Sequence, residues 1–219
     1  MYRVYCAGPL FNSLEQAEMN AISIELEKQG MSTFLPQRDG LELSKIIDYI
    51  VDIVNSPDIA SRILETAIFS LDTFHLLNCD ALVLNINGRV PDEGAMVEAG
   101  IAWAIGKPVV IYKNDSRTLL NGIDNPMILG LSNFEVISEI QKIPEKVKCL
   151  INFKQKSSFN MFSPNDQMFS IGEKIANILV NHSDYKNIAA KLVGILSEED
   201  VEDVERLRKA ELHTPKSSS

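Results

Sequence analysis

Basic side chains are scarce in this 219-residue chain: 21 Lys and Arg stand against 30 Asp and Glu, a net charge of −9. Neutralising a phosphate backbone needs clustered cations, so this balance argues against a nucleic-acid-binding surface, and a small ligand or protein partner is expected. Long apolar runs are also missing, and none approaches the ~18–20 residues of a membrane span. The apolar stretch at Met1–Tyr5 is too short for the core of a signal peptide, so a cytoplasmic, soluble protein is expected. Cysteine is sparse. Cys6, Cys79 and Cys149 are odd in number and far apart, which predicts reduced core thiols and neither a disulfide frame nor a zinc site. The three histidines are too dispersed for a histidine-rich metal site. What remains is ordinary: 45% hydrophobic and 23% charged residues, a globular composition that excludes disordered, collagen-like and coiled-coil chains.

The order of elements can be read from periodicity and punctuation. Residues 1–6 form an apolar strand ending at Ala7-Gly8-Pro9. Ser13 and Gln16 have capping-box spacing at the head of an amphipathic helix that stops at Gly30. Met31–Leu35 is a second strand, closed by the turn Pro36–Gly40. Leu43–Val54 and Ile59–Leu77 are helical. Cys79–Ile86 is almost wholly apolar, as expected of a strand buried on both faces of a parallel sheet. A loop then leads to a helix from Gly94 to Ile105, a buried strand Pro108–Tyr112, a polar loop to about Asn125 and a last strand, Phe134–Ile137. This alternation predicts an α/β fold with a doubly wound, mostly parallel sheet of the flavodoxin-like or Rossmann-like kind. Two domains are expected: an α/β domain over residues 1–152, and a helical C-terminal extension over 166–213 with helices at 171–181, 185–196 and 198–212. Ligands of such sheets bind outside the carboxyl ends of the strands, which directs attention to 6–12, 36–40, 86–98 and 113–127.

Within these segments Glu98 stands out. The helix Gly94–Ile105 is otherwise apolar or small, so a buried helix is expected, and burying a lone carboxylate is costly unless it is paired or used. Asp92 lies six residues earlier, where the strand gives way to its helix. The plainer reading of such an acid is a local capping bond. Asp72 is likewise a lone acid among apolar neighbours, or simply an exposed helix position. Gly8 permits close backbone approach and Pro9 stiffens its turn, as in many strand-to-helix turns. That turn is neither a GxGxxG nor a Walker loop. Gln37 carries an amide able to grip a heterocycle edge, or is a plain turn residue. Asn125-Pro126-Met127 either starts a helix with Asn125 as cap or reaches into a site.

Taken together these segments resemble the nucleoside 2-deoxyribosyltransferase family. The matching residues are Tyr5-x-Ala7-Gly8-Pro9-Leu10-Phe11, Pro36-Gln37, Cys79-Asp80-Ala81, Asp92-x-Gly94-x-x-x-Glu98-x-Gly100 and Gly106-Lys107-Pro108-Val109, spread over residues 1–137. The resemblance implies a nucleotide-salvage transferase that exchanges the base of a 2′-deoxynucleoside through a covalent 2-deoxyribosyl-glutamate intermediate. On it Glu98 is the nucleophile, Asp92 and Asp72 are acids near the base, and Tyr5 orients the nucleophile. Gly8, Pro9, Phe11 and Gln37 belong to substrate-binding segments. Asn125 and Met127 match an element inserted by a neighbouring subunit, implying a homo-oligomer with shared sites. The partners are nucleosides and free nucleobases, and neither a metal nor an organic cofactor is needed. Two alternatives remain open: hydrolysis of 2′-deoxynucleoside 5′-monophosphates, with Arg38 or Arg89 available for a phosphate, and a nonenzymatic nucleoside or nucleotide sensor.

Overall fold

In a computed structural model of the chain, residues 1–40, 43–88, 90–117 and 123–156, together with Asn181, are described. All but Asn181 belong to the first of two units, which spans Met1–Asn160. Apart from Asn181, the expected helical extension at 166–213 lies outside the described residues, as does Arg89.

Five strands, β1 (Arg3–Ala7), β2 (Ser32–Phe34), β3 (Ala81–Asn85), β4 (Val109–Tyr112) and β5 (Val136–Ile137), form one sheet in the order β2-β1-β3-β4-β5. Every pairing is parallel. This is the doubly wound order, in which the chain winds outward from β1 in both directions and leaves a crevice at the carboxyl ends of β1 and β3. All five residues of β3 are buried, because the sheet is covered on both faces. On one face α1 (Ser13–Lys28) and α7 (Ile143–Lys156) pack over Val4, Cys6, Val83 and Val110. On the other, α4 (Pro57–Leu77) and α5 (Glu93–Ala104) pack over Tyr5, Leu82, Leu84 and Ile111. The alternation along β1 thus sends Tyr5 to one layer and Cys6 to the other.

Shorter helices complete the unit: α2 (Pro36–Asp39) after β2, α3 (Leu43–Val54) before α4, and α6 (Pro126–Leu129) before β5. None of the described helices is long and apolar enough to cross a membrane.

Local details depart from the sequence reading at three places. The cap of α1 is Asn12, not Ser13: the Asn12 carboxamide oxygen accepts the N–H groups of Leu14 and Glu15, and the Glu15 carboxylate reaches back to the Phe11 N–H. Asn in the extended conformation caps as well as Ser does, and it sits one residue nearer the strand. Helix α5 is not buried all round. It packs through the small residues Ala95, Ala99 and Ala102, while Val97 on its outer side is 58% exposed. Cys6 and Cys79 are buried thiols as expected, but Cys149 is exposed, on the outer face of α7.

Candidate active site

The strand β1 delivers Tyr5, wholly buried, to the α4–α5 face. That hydroxyl donates to Glu98 Oε1 at 2.6 Å. Glu98 lies on the second turn of α5 and is half-buried. Burial pushes its carboxyl up to about 7, the negative charges of Asp72 and Asp92 add to this, and the Tyr5 hydrogen bond pulls the other way. Burial and then the charge of Glu98 push the Tyr5 phenol upward as well, so it remains a donor. Three acids and a tyrosine therefore share one corner, brought together from β1, α4 and α5.

Asp72, on α4, is half-buried and not an exposed helix position. Burial alone holds its carboxyl above the usual range for an aspartate. Asp92 makes the capping bond that its position suggested: its Oδ1 accepts the Ala95 N–H at 2.7 Å and starts α5. That cap fixes where α5 begins, and with it the place of Glu98 two turns along.

Several other candidates have neighbours of their own. Gly8 is packed so closely that a Cβ there would stand 2.6 Å from Met19 Sδ and 2.8 Å from Asn85 Cβ, so its own fold demands glycine. Pro9 beside it is buried, whereas Phe11 is 83% exposed. Gln37 donates through Nε2 to the Gln16 carbonyl at 2.9 Å. Asn125 caps α6, accepting the Met127 N–H at 3.0 Å, and Met127 itself is 81% exposed. Arg38, considered for a phosphate, is engaged by Asp39 at 2.8 Å, Glu27 at 2.9 Å and the Thr33 hydroxyl at 3.0 Å.

One group escaped the sequence reading. The Glu18 carboxylate on α1 accepts from Asn85 Nδ2 at 2.8 Å, Asn87 Nδ2 at 2.8 Å and the Tyr112 hydroxyl at 3.3 Å. Asn87 in turn accepts the N–H groups of Asn114 and Asp115. This network ties α1 to the loops after β3 and β4. A polar Asn85 closing an apolar strand was its only sign in the sequence. Between those two loops lies a hollow of about 380 Å³, lined in part by Ile86, Pro91, Met96, Arg117 and Asn125. Buried Lys113 holds the far side of that loop by pairing with Asp124 and donating to the Arg117 carbonyl at 2.6 Å.

A doubly wound parallel sheet whose carboxyl edge carries a tyrosine-held glutamate among aspartates defines an α/β protein with an acidic, small-molecule site. The family model described as nucleoside 2-deoxyribosyltransferase matches residues 4–171, and the chain belongs to that family. The match extends past the motif-bearing residues 1–137. Among solved structures the chain is similar to a conserved protein from Enterococcus faecalis V583, with 22% identity over 68% of this chain and 98% of that one, at a TM-score of 0.50. It is also similar to a 2-deoxyribosyltransferase from Bacillus psychrosaccharolyticus, with 20% identity over 65% and 90% of the two chains and a TM-score of 0.50. A CMP N-glycosidase from Clostridium botulinum is more distant, with 18% identity over 67% and 98% and a TM-score of 0.38. No curated protein gives a significant match.

Proposed function

We propose that the protein exchanges the base of 2′-deoxynucleosides, with Glu98 carrying the sugar between the departing and the incoming base. The observation that carries this reading is the Glu98 carboxylate itself, lodged in a helix of small and apolar residues and held by a buried tyrosine hydroxyl at 2.6 Å. Such an arrangement aims one carboxylate oxygen, and among the described residues no hydrogen-bond donor is recorded on the other.

Breaking an N-glycosidic bond builds positive charge at C1′, so one face of the sugar must meet negative charge while the leaving base receives a proton. Glu98 Oε1 is fixed by Tyr5, and Oε2 attacks C1′ as the bond to the base breaks, giving a 2-deoxyribosyl ester. Asp72 supplies the proton to the departing base, since burial favours its protonated form and Asp92 is engaged in capping α5. The productive form carries Glu98 as the carboxylate and the proton on Asp72. The incoming base attacks C1′, returns its N–H proton to Asp72 and frees Glu98. Two inversions leave the anomeric configuration unchanged.

Keeping water from the ester requires a cover. Exposed Met127, beside Asn125 on α6, suits an element that enters a neighbour's site in a homo-oligomer. The engagement of Arg38 by Glu27 and Asp39 favours an uncharged nucleoside over a 5′-phosphate. The test is to incubate the protein with 2′-deoxyinosine and free adenine or cytosine, with a water-only control, and separate the products by chromatography. The exchanged nucleoside is expected, and Glu98→Gln should lower its formation by several orders of magnitude. Hypoxanthine released equally fast without an acceptor base would show a hydrolase instead.

A further inference from the structure

We propose that His75 is a positioning residue for the nucleophile: stacked on Phe34, it holds the Tyr5 ring in the place from which its hydroxyl reaches Glu98. This rests on the base-exchange reading above and adds to it a residue that acts through Tyr5.

Tyr5 and Phe34 are register partners on β1 and β2, and their side chains enter the same layer of the core. Both are buried, and their ring centroids lie 5.2 Å apart. The His75 imidazole, on the last turn of α4, stacks on Phe34 with centroids 3.9 Å apart and planes inclined by 24°. Arg3 closes the circuit. It precedes Tyr5 by two residues on the same strand, and so leaves the sheet on the same face. Its guanidinium donates to His75 Nδ1 at 2.8 Å, and its main-chain N–H donates to the Asp80 carboxylate at 2.8 Å. Contacts through Arg3, His75, Phe34 and Tyr5 thus join β1, α4 and β2, and lead to Glu98 Oε1.

A guanidinium only donates, so the Nδ1 that meets it carries the lone pair and the ring proton sits on Nε2. His75 in this arrangement is neutral. Burial and the charge of Arg3 favour that form, against the opposite pull of Asp39 from α2. A neutral imidazole can stack on Phe34 without a charge being desolvated.

A tyrosine side chain turns about two bonds, whereas a 2.6 Å hydrogen bond tolerates little change of distance or angle. Phe34 limits the movement of Tyr5, and His75 limits that of Phe34. Asp72 precedes His75 by three residues on α4, so the same stack steadies the turn that carries the proposed acid.

The experiment is a carbon-13 NMR titration of the Glu98 carboxyl in the full chain, with its signal assigned by its loss in Glu98→Gln. Base exchange is followed in parallel against pH. In His75→Ala the Glu98 midpoint should rise by about half a pH unit, because a weaker Tyr5 bond no longer holds the carboxylate down. The same variant should lower kcat roughly tenfold and leave KM within about threefold. Arg3→Met leaves both rings in place and should raise the midpoint by less. Added to Tyr5→Phe, His75→Ala should move it no further, since the bond it acts through is already gone. A merely structural loosening would admit water to the corner and lower the midpoint, as burial is the main cause that raises it. A midpoint that falls or stays put in His75→Ala, or an equal rise with and without the Tyr5 hydroxyl, overturns the proposal. Should His75→Ala fail to fold, the sign of the shift in Arg3→Met decides. If the midpoint rises as expected but no base is exchanged, the base-exchange reading fails and the role of His75 toward Glu98 stands.

Discussion

At the scale of single residues, the site is built at the expense of stability, and the effect has a defined sign. Glu98 ordinarily titrates near 4.5 and is raised to about 7 by burial. The folded chain therefore prefers Glu98 protonated, and the destabilisation from its charge grows as pH rises from about 4.5 to 7 and then levels off. Each pH unit between the two values is worth about 1.4 kcal/mol, so at pH 8 the effect is on the order of 3 kcal/mol. Glu98→Gln keeps an acceptor for the Tyr5 hydroxyl and removes the charge. We expect this variant to be inactive yet more resistant to thermal or urea unfolding than the wild type, with the gain large at pH 8 and nearly gone at pH 4. An equal gain at both values would show that the Glu98 charge is not its source. Tyr5→Phe tests the other side of the pair. The phenol's hydrogen bond holds Glu98 down, so its loss should move the acidic limb of the kcat/KM profile to higher pH. An unshifted limb with lower activity throughout would mean that Tyr5 only fills space.

At the scale of elements, backbone turns place these side chains, and their tightness is measurable. The turn after β1 carries Gly8 against Met19 of α1 and Asn85 at the end of β3. Asn85 is wholly buried and tied to Glu18, so the backbone there has little room to retreat. Gly8→Ala should destabilise the chain by about 1–3 kcal/mol, the usual effect of overpacking a dense interior. A denaturant melt that matches the wild type within a few tenths of a kcal/mol would show that the turn can relax. Asp92 has a comparable role at the head of α5. Asp92→Ala should cost about 1 kcal/mol of stability through the lost cap.

At the scale of the whole molecule, large apolar side chains are exposed among the described residues. Phe69 and Phe74 on α4, Val97 on α5 and Met127 on α6 are each more than half exposed. Exposed large apolar side chains on the helices around the candidate site are consistent with the proposed contact with another copy of the chain. Subunits that share sites can complement one another. Mixing inactive Glu98→Ala with an Asn125→Ala/Met127→Ala variant should restore part of the exchange activity after subunits trade places, because some sites then receive both intact halves. No recovery after verified subunit exchange, or full activity in a monomer by sedimentation, would show that each chain builds its own site.

The order of strands and helices, the parallel sheet and the special standing of Glu98 were legible in the sequence, because burial on both faces demands unbroken apolar runs and a lone acid breaks one. Asp92 could be named from its place six residues before Glu98 and its capping bond from its position before a helix, whereas Tyr5, 93 residues away, was named only through the family resemblance. Tertiary structure alone decided which neighbours each group meets. Asp72 could be buried or exposed on an amphipathic helix until α4 packed against α5, and that packing raised its proton affinity. Gly8 was readable as a gap left for a ligand, yet its close neighbours are Met19 and Asn85, contributed by elements distant in sequence. The Glu18 network and the locked amide of Gln37 join α1 to loops after three different strands. Periodicity within one segment reports which face is covered. It carries no information about the partner that covers it, and so contacts across the sheet edge had to wait for the folded chain.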